Sequence, residues 1–460
     1  HSAFTAAFGL RVVGLVGLTL IAYGTVIYDV ALSIGGGSRT AYLMVIPVLL
    51  VMIASGCTDP PRGVADRETD WILSGMLGGL ALFACFLTAN RFPTLAGLWH
   101  IQLIAAVIWV ACAASIIFGF RRVAQMWPLW LFAIATITPL PYVLMTAALG
   151  GTTAASSAVA AVIGAIAVFC AGRRSPLRWR VVAAAASAVV GGAAAQLAAT
   201  SLSISVAVSA GLIPLISFLV LQRFTVSEHR EPSRDPPHLP RRSLLSFAAL
   251  GAVAVVQLVL NTSSSSAEAA PGTAAANWTS RAGLSASEQF AFIHRYLGPD
   301  STFARYPAPS RPGYPDAAVD VITADNLEAL RTYRYVIWYP AKVLPNYHPI
   351  DLGNPPVRGA LVAATDAAAA DNPHVADWYA LTWQWHNGSK YEQVFVVVNQ
   401  AMLEANPPPR PTPPSLASTV AAQALWVARQ QADPAPEVDP VVIARARQLA
   451  HDLVTAATPP

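Results

Sequence analysis

One stretch of the chain sets a nucleophile beside cations, in the order Cys170-Ala-Gly-Arg-Arg174-Ser175. An arginine near a cysteine lowers the pKa of the thiol and favours the reactive thiolate, so Cys170 and Arg174 are candidates for covalent catalysis. The same residues end an apolar segment, and arginines also mark the cytoplasmic ends of membrane helices. A catalytic cysteine and a helix end are both open interpretations.

Two further groups of residues are candidates for ligand binding. Trp383 and Trp385 share one face of a predicted strand, and His386 lies on the other face. This tryptophan pair either stacks on a sugar ring or forms the core of a small sheet. A proline-rich loop before it, residues 339–356, carries Lys342, Tyr347, His348 and Asp351, and loops on a rigid scaffold often carry function.

A third group lies near the ends of apolar segments and consists of Asp29, Arg91 and His100. Ionisable side chains at membrane depth are candidates for a substrate path. Side chains close to an interface can also reach water at little cost, so these residues are either functional or simply interfacial.

No complete catalytic motif accompanies these residues. The sequence has no HExxH, no phosphate-binding loop, no G-x-S-x-G and no CxxC. Enzymatic activity therefore stays open, and the sequence predicts neither a cofactor nor a metal site.

The composition is that of a membrane protein. Of the 460 residues, 55% are hydrophobic and 12% charged, and the mean hydropathy is +0.49. The net charge of +4 is small and dispersed, which argues against a nucleic-acid partner. All four cysteines lie in the first half, so the second half has no disulfide framework.

Crossing a bilayer takes about 20 apolar residues, and windows of that length occur repeatedly. We predict about nine membrane-spanning segments, near 9–30, 41–56, 71–90, 95–119, 125–148, 156–172, 181–199, 202–222 and 244–261. Residues 1–30 are not expected to be a cleaved signal, because further hydrophobic segments follow at once.

Arginines alternate between the loops. Thirteen follow the even-numbered segments: Arg62, Arg67, Arg121, Arg122, Arg173, Arg174, Arg178, Arg180, Arg223, Arg230, Arg234, Arg241 and Arg242. The other loops hold only Arg39 and Arg91. Because basic residues accumulate on the cytoplasmic side, we expect a multi-pass plasma-membrane protein with a cytoplasmic N-terminus, and everything beyond about residue 262 outside the cell.

The expected fold is a helical membrane bundle followed by an extracytoplasmic α+β domain with an antiparallel sheet. The predicted organisation is a transmembrane domain (1–261), a flexible linker (262–287), the α+β domain (288–404), a proline-rich spacer (405–414) and a helical tail (415–460). The tail is amphipathic and is expected either to pack on the outer domain or to bind a partner.

Within the outer domain, residue patterns predict individual elements. Helices are expected in SASEQFAFIHRYLG and TADNLEALRTY, and strands at 333–340, 357–364, 377–386 and 391–400. Asn387-Gly388 suits the turn between the last two strands.

Two apolar stretches resemble the exosortase/archaeosortase group of polytopic, transpeptidase-like membrane enzymes. They are GGGSRTAYLMVIPVLLVMIASG (35–56) and QMWPLWLFAIATITPLPYVLM (125–145), which includes the pair Pro139 and Pro141. The resemblance covers about residues 10 to 145. It implies processing of proteins at sorting signals outside the cell, with Cys170 in the place of the family's nucleophile.

The chain departs from that pattern in three respects. The arginine distribution places Cys170 on the cytoplasmic side, the next two spans carry no arginine–histidine pair, and the outer domain has no cysteine. The resemblance therefore implies a divergent member.

We expect an integral cell-envelope protein with an outward-facing binding or scaffolding domain, part of an envelope assembly or export complex. Its partners would be the lipid bilayer, other proteins, and a glycan or lipid. One alternative is an exosortase-like transpeptidase or protease that uses Cys170, and another is a lipid or glycan transporter that uses the Asp29, Arg91 and His100 rim. Abundant alanine, arginine and proline with two lysines indicate a GC-rich bacterial, actinobacterial-type genome.

Overall fold

The computed structural model describes residues 2–57, 67–197, 201–225, 244–264, 271–341, 345–353, 355–362, 377–400, 407–421 and 438–458. Contacts divide the chain into two units. Unit 1 consists of His1–Arg91, Trp99–Tyr142 and Thr153–Ala267, and unit 2 of Phe92–Leu98, Val143–Thr152 and Glu268–Pro460.

The apolar part of the chain is helical. Its α-helices are α1 (Ser2–Gly35), α2 (Ile46–Gly56), α3 (Arg67–Arg91), α4 (Pro93–Trp99), α5 (Ile101–Phe118), α6 (Phe120–Gln125), α7 (Trp127–Ile137), α8 (Pro139–Ala148), α9 (Thr153–Ala171), α10 (Leu177–Leu197), α11 (Leu202–Val206), α12 (Ile213–Thr225) and α13 (Leu244–Ser264). A 3-10 helix covers Arg39–Met44, and a π-helical segment, Ala207–Leu212, joins α11 to α12.

Within the described part of the chain, eight helices are long and apolar enough to cross a membrane. The bent pair α7 and α8 makes nine if it counts as one span. Where they are described, the predicted apolar segments are confirmed as helices; 125–148 is bent at Thr138, and 95–119 is divided into two helices. There the chain turns at His100, which has a φ of 49°, and the spanning helix starts only at Ile101.

Several helix ends that adjoin the arginine-bearing segments lie together in unit 1. Gly56 lies against the backbone of Ala171, and Gly172 against Leu221, so the ends of α2, α9 and α12 are together. Phe8 of α1 packs on Phe118 with ring centroids 5.4 Å apart. Arg62, Arg230, Arg234, Arg241 and Arg242 lie outside the described residues.

Helices α1 and α13 run parallel. The Asn261 amide donates to the carbonyl oxygen of Ala22 (2.8 Å), and Phe247 lies beside Gly14, so the contacts advance in the same direction along both helices. Eight crossings would make the first and last spans antiparallel, whereas nine make them parallel. The parallel arrangement of α1 and α13 is therefore the one expected if the bent α7–α8 pair counts as a single span.

The bend between α7 and α8 is 61° and falls at Thr138, which is extended, with a ψ of 117°. Pro139 causes it, since a proline disfavours helical backbone in the residue before it. The break frees carbonyl groups that a bilayer cannot hydrate. The buried Tyr42 hydroxyl lies 2.8 Å from the carbonyl oxygen of Thr136 and 3.2 Å from that of Thr138, and it donates to this pair.

Unit 2 is built on an eight-stranded, mostly antiparallel sheet. The strands are β1 (Gly272–Thr273), β2 (Glu288–Gln289), β3 (Thr302–Pro307), β4 (Ala317–Ala324), β5 (His348–Ile350), β6 (Val357–Val362), β7 (Trp378–His386) and β8 (Tyr391–Asn399). Their order is β2-β3-β4-β8-β7-β6-β5, and β1 pairs with β7 in parallel. The helices of this part are α14 (Trp278–Arg281), α15 (His294–Leu297), α16 (Leu327–Thr332) and α17 (Pro440–Ala457).

Helix α17 covers one face of the sheet. It begins where the Asp439 carboxylate accepts from the Val441 N–H (2.8 Å). Its apolar residues recur at helical spacing and join the sheet core: Val442, Ala446, Leu449, Ala450, Leu453 and Ala457. The C-terminal half of the predicted tail therefore packs on the sheet of unit 2, and packing on this domain is one of the two expectations for the tail. Residues 422–437 lie outside the described residues.

The flexible-linker prediction is wrong for the described residues 271–287. They contain β1 and α14, and Trp278 is buried in the core. The alanine- and serine-rich composition suggested a linker, whereas the segment is held by the pairing of β1 with β7 and by the bond from the Trp278 indole to the buried Glu392 carboxylate.

Strand predictions were correct at β6, β7 and β8, and the Asn387-Gly388 turn is present, with a φ of 87° at the glycine. The predicted strand at 333–340 forms turns and irregular backbone instead. The helix expected across SASEQFAFIHRYLG is reduced to a short strand, a 3-10 turn and α15. Strands β3 and β4 were not predicted.

Candidate functional site

Unit 2 includes two segments that join membrane-length helices, Phe92–Leu98 and Val143–Thr152. We call the contacts that hold them the brace. The Tyr335 ring lies flat against Gly97, where a Cβ atom would come within 2.4 Å of the ring. Only glycine fits between α4 and this ring, so α4 is held closely by the outer domain.

The brace continues at the predicted loop residue Tyr347. Its backbone N–H donates to the buried Thr94 hydroxyl (2.9 Å). Burial raises the pKa of the Tyr347 phenol, and the positive charge of Arg358 offsets part of this effect. Tyr347 therefore acts here as a neutral packing group.

The second braced segment follows α8. Gly151 has a φ of 69°, and a Cβ at this position would come within 1.9 Å of the Arg295 carbonyl oxygen. The neighbouring Gly150, with a φ of 98°, faces open space. The close contact therefore belongs to Gly151 alone.

A second feature of unit 2 is the proline-rich strap, residues 407–414, which sequence composition assigned to a spacer. The spacer prediction is wrong here, because Pro408, Pro409, Pro411 and Pro414 are buried. The strap bonds at both ends: the Tyr296 hydroxyl donates to the Pro414 carbonyl (2.7 Å), and Arg305 donates to the carbonyl of Pro409 (2.7 Å).

Beneath the strap lies a buried charged network. Arg305 donates twice to Asp320, from Nε to Oδ1 (2.8 Å) and from Nη2 to Oδ2 (2.6 Å). The Tyr339 hydroxyl donates to the same carboxylate (2.7 Å). Burial and the negative charge of Asp320 raise the pKa of Tyr339 well above its ordinary value. Burial alone would lower the pKa of Arg305, but its bond and charge interaction with Asp320 raise it.

The tryptophans of the β7–β8 hairpin lie in the core of unit 2. Trp383 and Trp385 are 2% and 1% exposed, so neither can stack on a ligand. The Trp385 and Trp278 indoles both donate to one oxygen of the buried Glu392 carboxylate (2.7 and 2.8 Å). His386 is half-buried on the other face, with its ring 4.6 Å from that of Tyr391.

The remaining loop candidates do not form a site together. His348 is exposed on the edge strand β5, where it pairs with Gly359. Asp351 is exposed and accepts from the Gly353 N–H (3.3 Å). Lys342 lies outside the described residues.

Cys170 ends α9 as a half-buried free thiol, and Arg174 is exposed in the turn that follows. The arginines around it have structural contacts. Arg180 donates to the Phe169 carbonyl (3.1 and 3.0 Å) and lies 4.1 Å from the Phe169 ring, and Arg173 lies over Trp127. These contacts fit the helix-end interpretation.

The rim residues occupy three different elements of unit 1. Asp29 is exposed on α1, Arg91 is the exposed last residue of α3, and His100 is the turn before α5. His100 is the one non-glycine residue with positive φ within the described ranges.

Sequence reasoning missed a hydroxyl cluster at the bent span. The Tyr42 and Tyr142 rings stack with centroids 4.0 Å apart, and Tyr142 donates to the Ser156 carbonyl (2.9 Å). Ser157 then donates to Ser205 (2.7 Å). Only the P-x-P pair was a visible signal for this irregular region.

The described residues contain no group of three or more His, Cys, Asp or Glu side chains able to hold a metal ion. Comparison with protein-family models, with curated proteins and with solved structures finds no match to this chain.

Proposed function

We propose that this chain is a multi-pass plasma-membrane protein of the bacterial cell envelope whose outer domain is a scaffold. The N-terminus is cytoplasmic, since the shared arginine end of unit 1 takes the cytoplasmic side under the positive-inside rule. The outer domain then lies outside the cell and serves an envelope assembly or export complex.

One observation carries the proposal: the outer domain holds the segments Phe92–Leu98 and Val143–Thr152, which link membrane-length helices, by the brace contacts of Gly97 and Gly151. A domain on a flexible tether would need no such contacts. These contacts make the two connecting segments part of the same compact unit as the sheet, as expected for a scaffold that is built onto the loops between its helices.

Purification of cross-linked native complexes tests this function. The full-length chain should bring down companion proteins, and Gly151→Ala should reduce their recovery severalfold, because the added Cβ meets the Arg295 carbonyl. Gly150→Ala is the matched control, since it carries the same kind of backbone strain without the contact. A chain that purifies without companions contradicts the function. Deletion of residues 415–460 is unsuitable, because it removes the core helix α17.

A transporter of a lipid or glycan is the second candidate, favoured by the bent α7–α8 span and its hydroxyl cluster. Broken helices in transporters place backbone groups at the substrate site. Flipping of a fluorescent phospholipid or glycolipid in proteoliposomes should then fall in Tyr42→Phe. Unchanged flipping, or none with the unmodified chain, removes this candidate.

An exosortase-like transpeptidase remains the third alternative, and it rests on the sequence resemblance. Cys170→Ala should abolish processing of an envelope substrate if Cys170 is the nucleophile. Unchanged processing eliminates that role.

A further inference from the structure

Buried prolines recur at every third residue of the strap, at Pro408, Pro411 and Pro414, and Pro409 is buried as well. The exposed residues of the strap are Pro407, Arg410, Thr412 and Pro413. Three residues per turn is the period of the polyproline II helix, which forms no internal hydrogen bonds and leaves its carbonyl groups free for a partner. One face of the strap is therefore turned toward the domain.

The domain meets those free carbonyls with donors. Arg305 bonds to the carbonyls of Pro408 (3.2 Å) and Pro409, and Tyr296 bonds to that of Pro414. The Thr412 N–H donates to the Trp338 carbonyl (2.6 Å). These contacts use main-chain carbonyl and N–H groups of the strap and none of its side chains.

The strap also lies on aromatic elements. Tyr296 and Trp338 belong to an aromatic cluster, with their ring centroids 5.3 Å apart, and Phe292 and Phe303 adjoin Trp338. The Trp338 indole N–H is buried and has no hydrogen-bond acceptor among the described residues. Aromatic grooves with free donors are the surfaces that recognise proline-rich peptides.

An ion pair defines the chain direction in which the strap binds. The Arg410 guanidinium pairs with the Glu288 carboxylate at the edge strand β2. A peptide that takes the place of the strap can pair its own basic residue with Glu288 in only one chain direction, because that residue must follow the first buried proline by two positions.

We propose that this groove is a binding site for extended proline-rich segments, and that the chain fills it with its own strap until a partner's segment displaces it. The partner segment has prolines at the spacing of 408, 411 and 414 and a basic residue at the place of Arg410. The inference rests on the proposed scaffold function, since it names the class of partner that the scaffold would bind.

Displacement must overcome the covalent attachment of the strap. A tethered ligand has an effective concentration of about millimolar, so a free peptide binds the unmodified chain weakly. Replacing the buried prolines of the strap removes the competitor and should expose the affinity of the groove.

The test uses the full-length chain in nanodiscs and a fluorescent peptide of residues 406–415, NPPPRPTPPS. The strap variant carries Pro408→Ser, Pro411→Ser and Pro414→Ser, and its matched control carries Pro407→Ser and Pro413→Ser. The strap variant should bind the peptide at least about tenfold more tightly than the control does, because only its competitor is weakened. Adding Tyr296→Phe should weaken that binding severalfold.

The same two sets of substitutions are then made in the peptide. Substitution at the positions of 408, 411 and 414 should abolish its binding to the strap variant, and substitution at those of 407 and 413 should leave the binding unchanged. If the strap variant is folded but does not bind the peptide at about millimolar concentration, the inference is overturned. If the strap variant does not fold, Arg410→Ala takes its place, because it loosens the strap only at an exposed pair. If neither variant folds, the strap is a fixed part of the domain and the inference fails.

The outcome separates this inference from the scaffold function. If companion proteins are recovered from membranes but the groove binds no peptide, the inference is overturned and the scaffold function is not. A strap exchanged between two copies would appear as a dimer in light scattering, and it would overturn the assignment to a separate partner.

Discussion

Arg305 and Asp320 face each other across β3 and β4 and form a two-point ion pair inside the outer domain, 2.8 and 2.6 Å long. The same guanidinium holds the strap, and the same carboxylate accepts from Tyr339. One cross-strand pair thus connects the sheet, the strap and the irregular segment that contains Trp338 and Tyr339.

Asp320→Asn should destabilise the outer domain strongly. Removing one member of a buried ion pair costs about 3–5 kcal/mol, because the other charge is left without compensation. Glu328→Gln is the control, since the Glu328–Arg331 pair is partly exposed and pairs of this kind contribute about 1 kcal/mol or less. Urea unfolding of the full chain, followed by tryptophan fluorescence, measures both. Equal losses would show that the buried pair has no special role.

Glu392→Gln should also destabilise the domain, by about 1–3 kcal/mol. The carboxylate accepts from the two indoles on one oxygen and from the Asn387 amide (2.5 Å) on the other. A glutamine amide presents an NH₂ group to one of these sets, so two donors then face each other. Asp325→Asn removes the same charge at an exposed position and should change the unfolding midpoint little. Comparable shifts in the two variants would contradict this interpretation.

Tyr42→Phe should loosen the bent span. The carbonyl groups of Thr136 and Thr138 would lose their donor in an apolar setting, at a cost of about 1–3 kcal/mol. The apparent melting temperature in detergent, followed with a thiol-reactive dye on the native cysteines, should fall. Tyr28→Phe provides the control, since Tyr28 is exposed on α1. A melting temperature equal to that of Tyr28→Phe would show that the break needs no hydroxyl donor.

The orientation of the chain can be tested by labelling single cysteines in intact cells with an impermeant thiol reagent. Cys170 and Arg174→Cys should react only after permeabilisation, because the proposed orientation places the arginine end in the cytoplasm. Including Arg174→Cys controls for the half-burial of Cys170. Ser310→Cys, exposed in the β3–β4 loop, should react in intact cells. Reaction of Arg174→Cys without permeabilisation would invert the topology.

The apolar, helical half could be predicted from the sequence in most respects. Hydropathy identifies its helices, because long apolar segments of the kind that suit a bilayer satisfy their own backbone groups as helices. Pro139 marks the bend in advance. The Tyr42 hydroxyl that satisfies the bend could not be found, because it comes from a 3-10 helix far away in sequence.

The outer domain was only partly predictable. Alternating aromatic and β-branched residues identify β7 and β8, whereas β3 and β4 are bounded by a proline-rich loop and carry the charged pair Arg305 and Asp320 in their interiors. Charged residues inside a strand argue against burial until their partner is known. Trp278 was the one signal that residues 271–287 belong to the core. The strap resembles a spacer because proline-rich composition is the same in a linker and in a bound segment.

Photo-cross-linking from position 335 in native membranes tests the brace, on which the scaffold function depends, most directly. Tyr335→p-benzoylphenylalanine places a reactive ring where the native ring lies against Gly97, and Tyr314, exposed in the β3–β4 loop, is the control position. We predict that the probe at 335 joins the peptide containing residues 92–98 and that the probe at 314 does not. Absence of any cross-link from position 335 to residues 92–98 would contradict the brace and, with it, the scaffold.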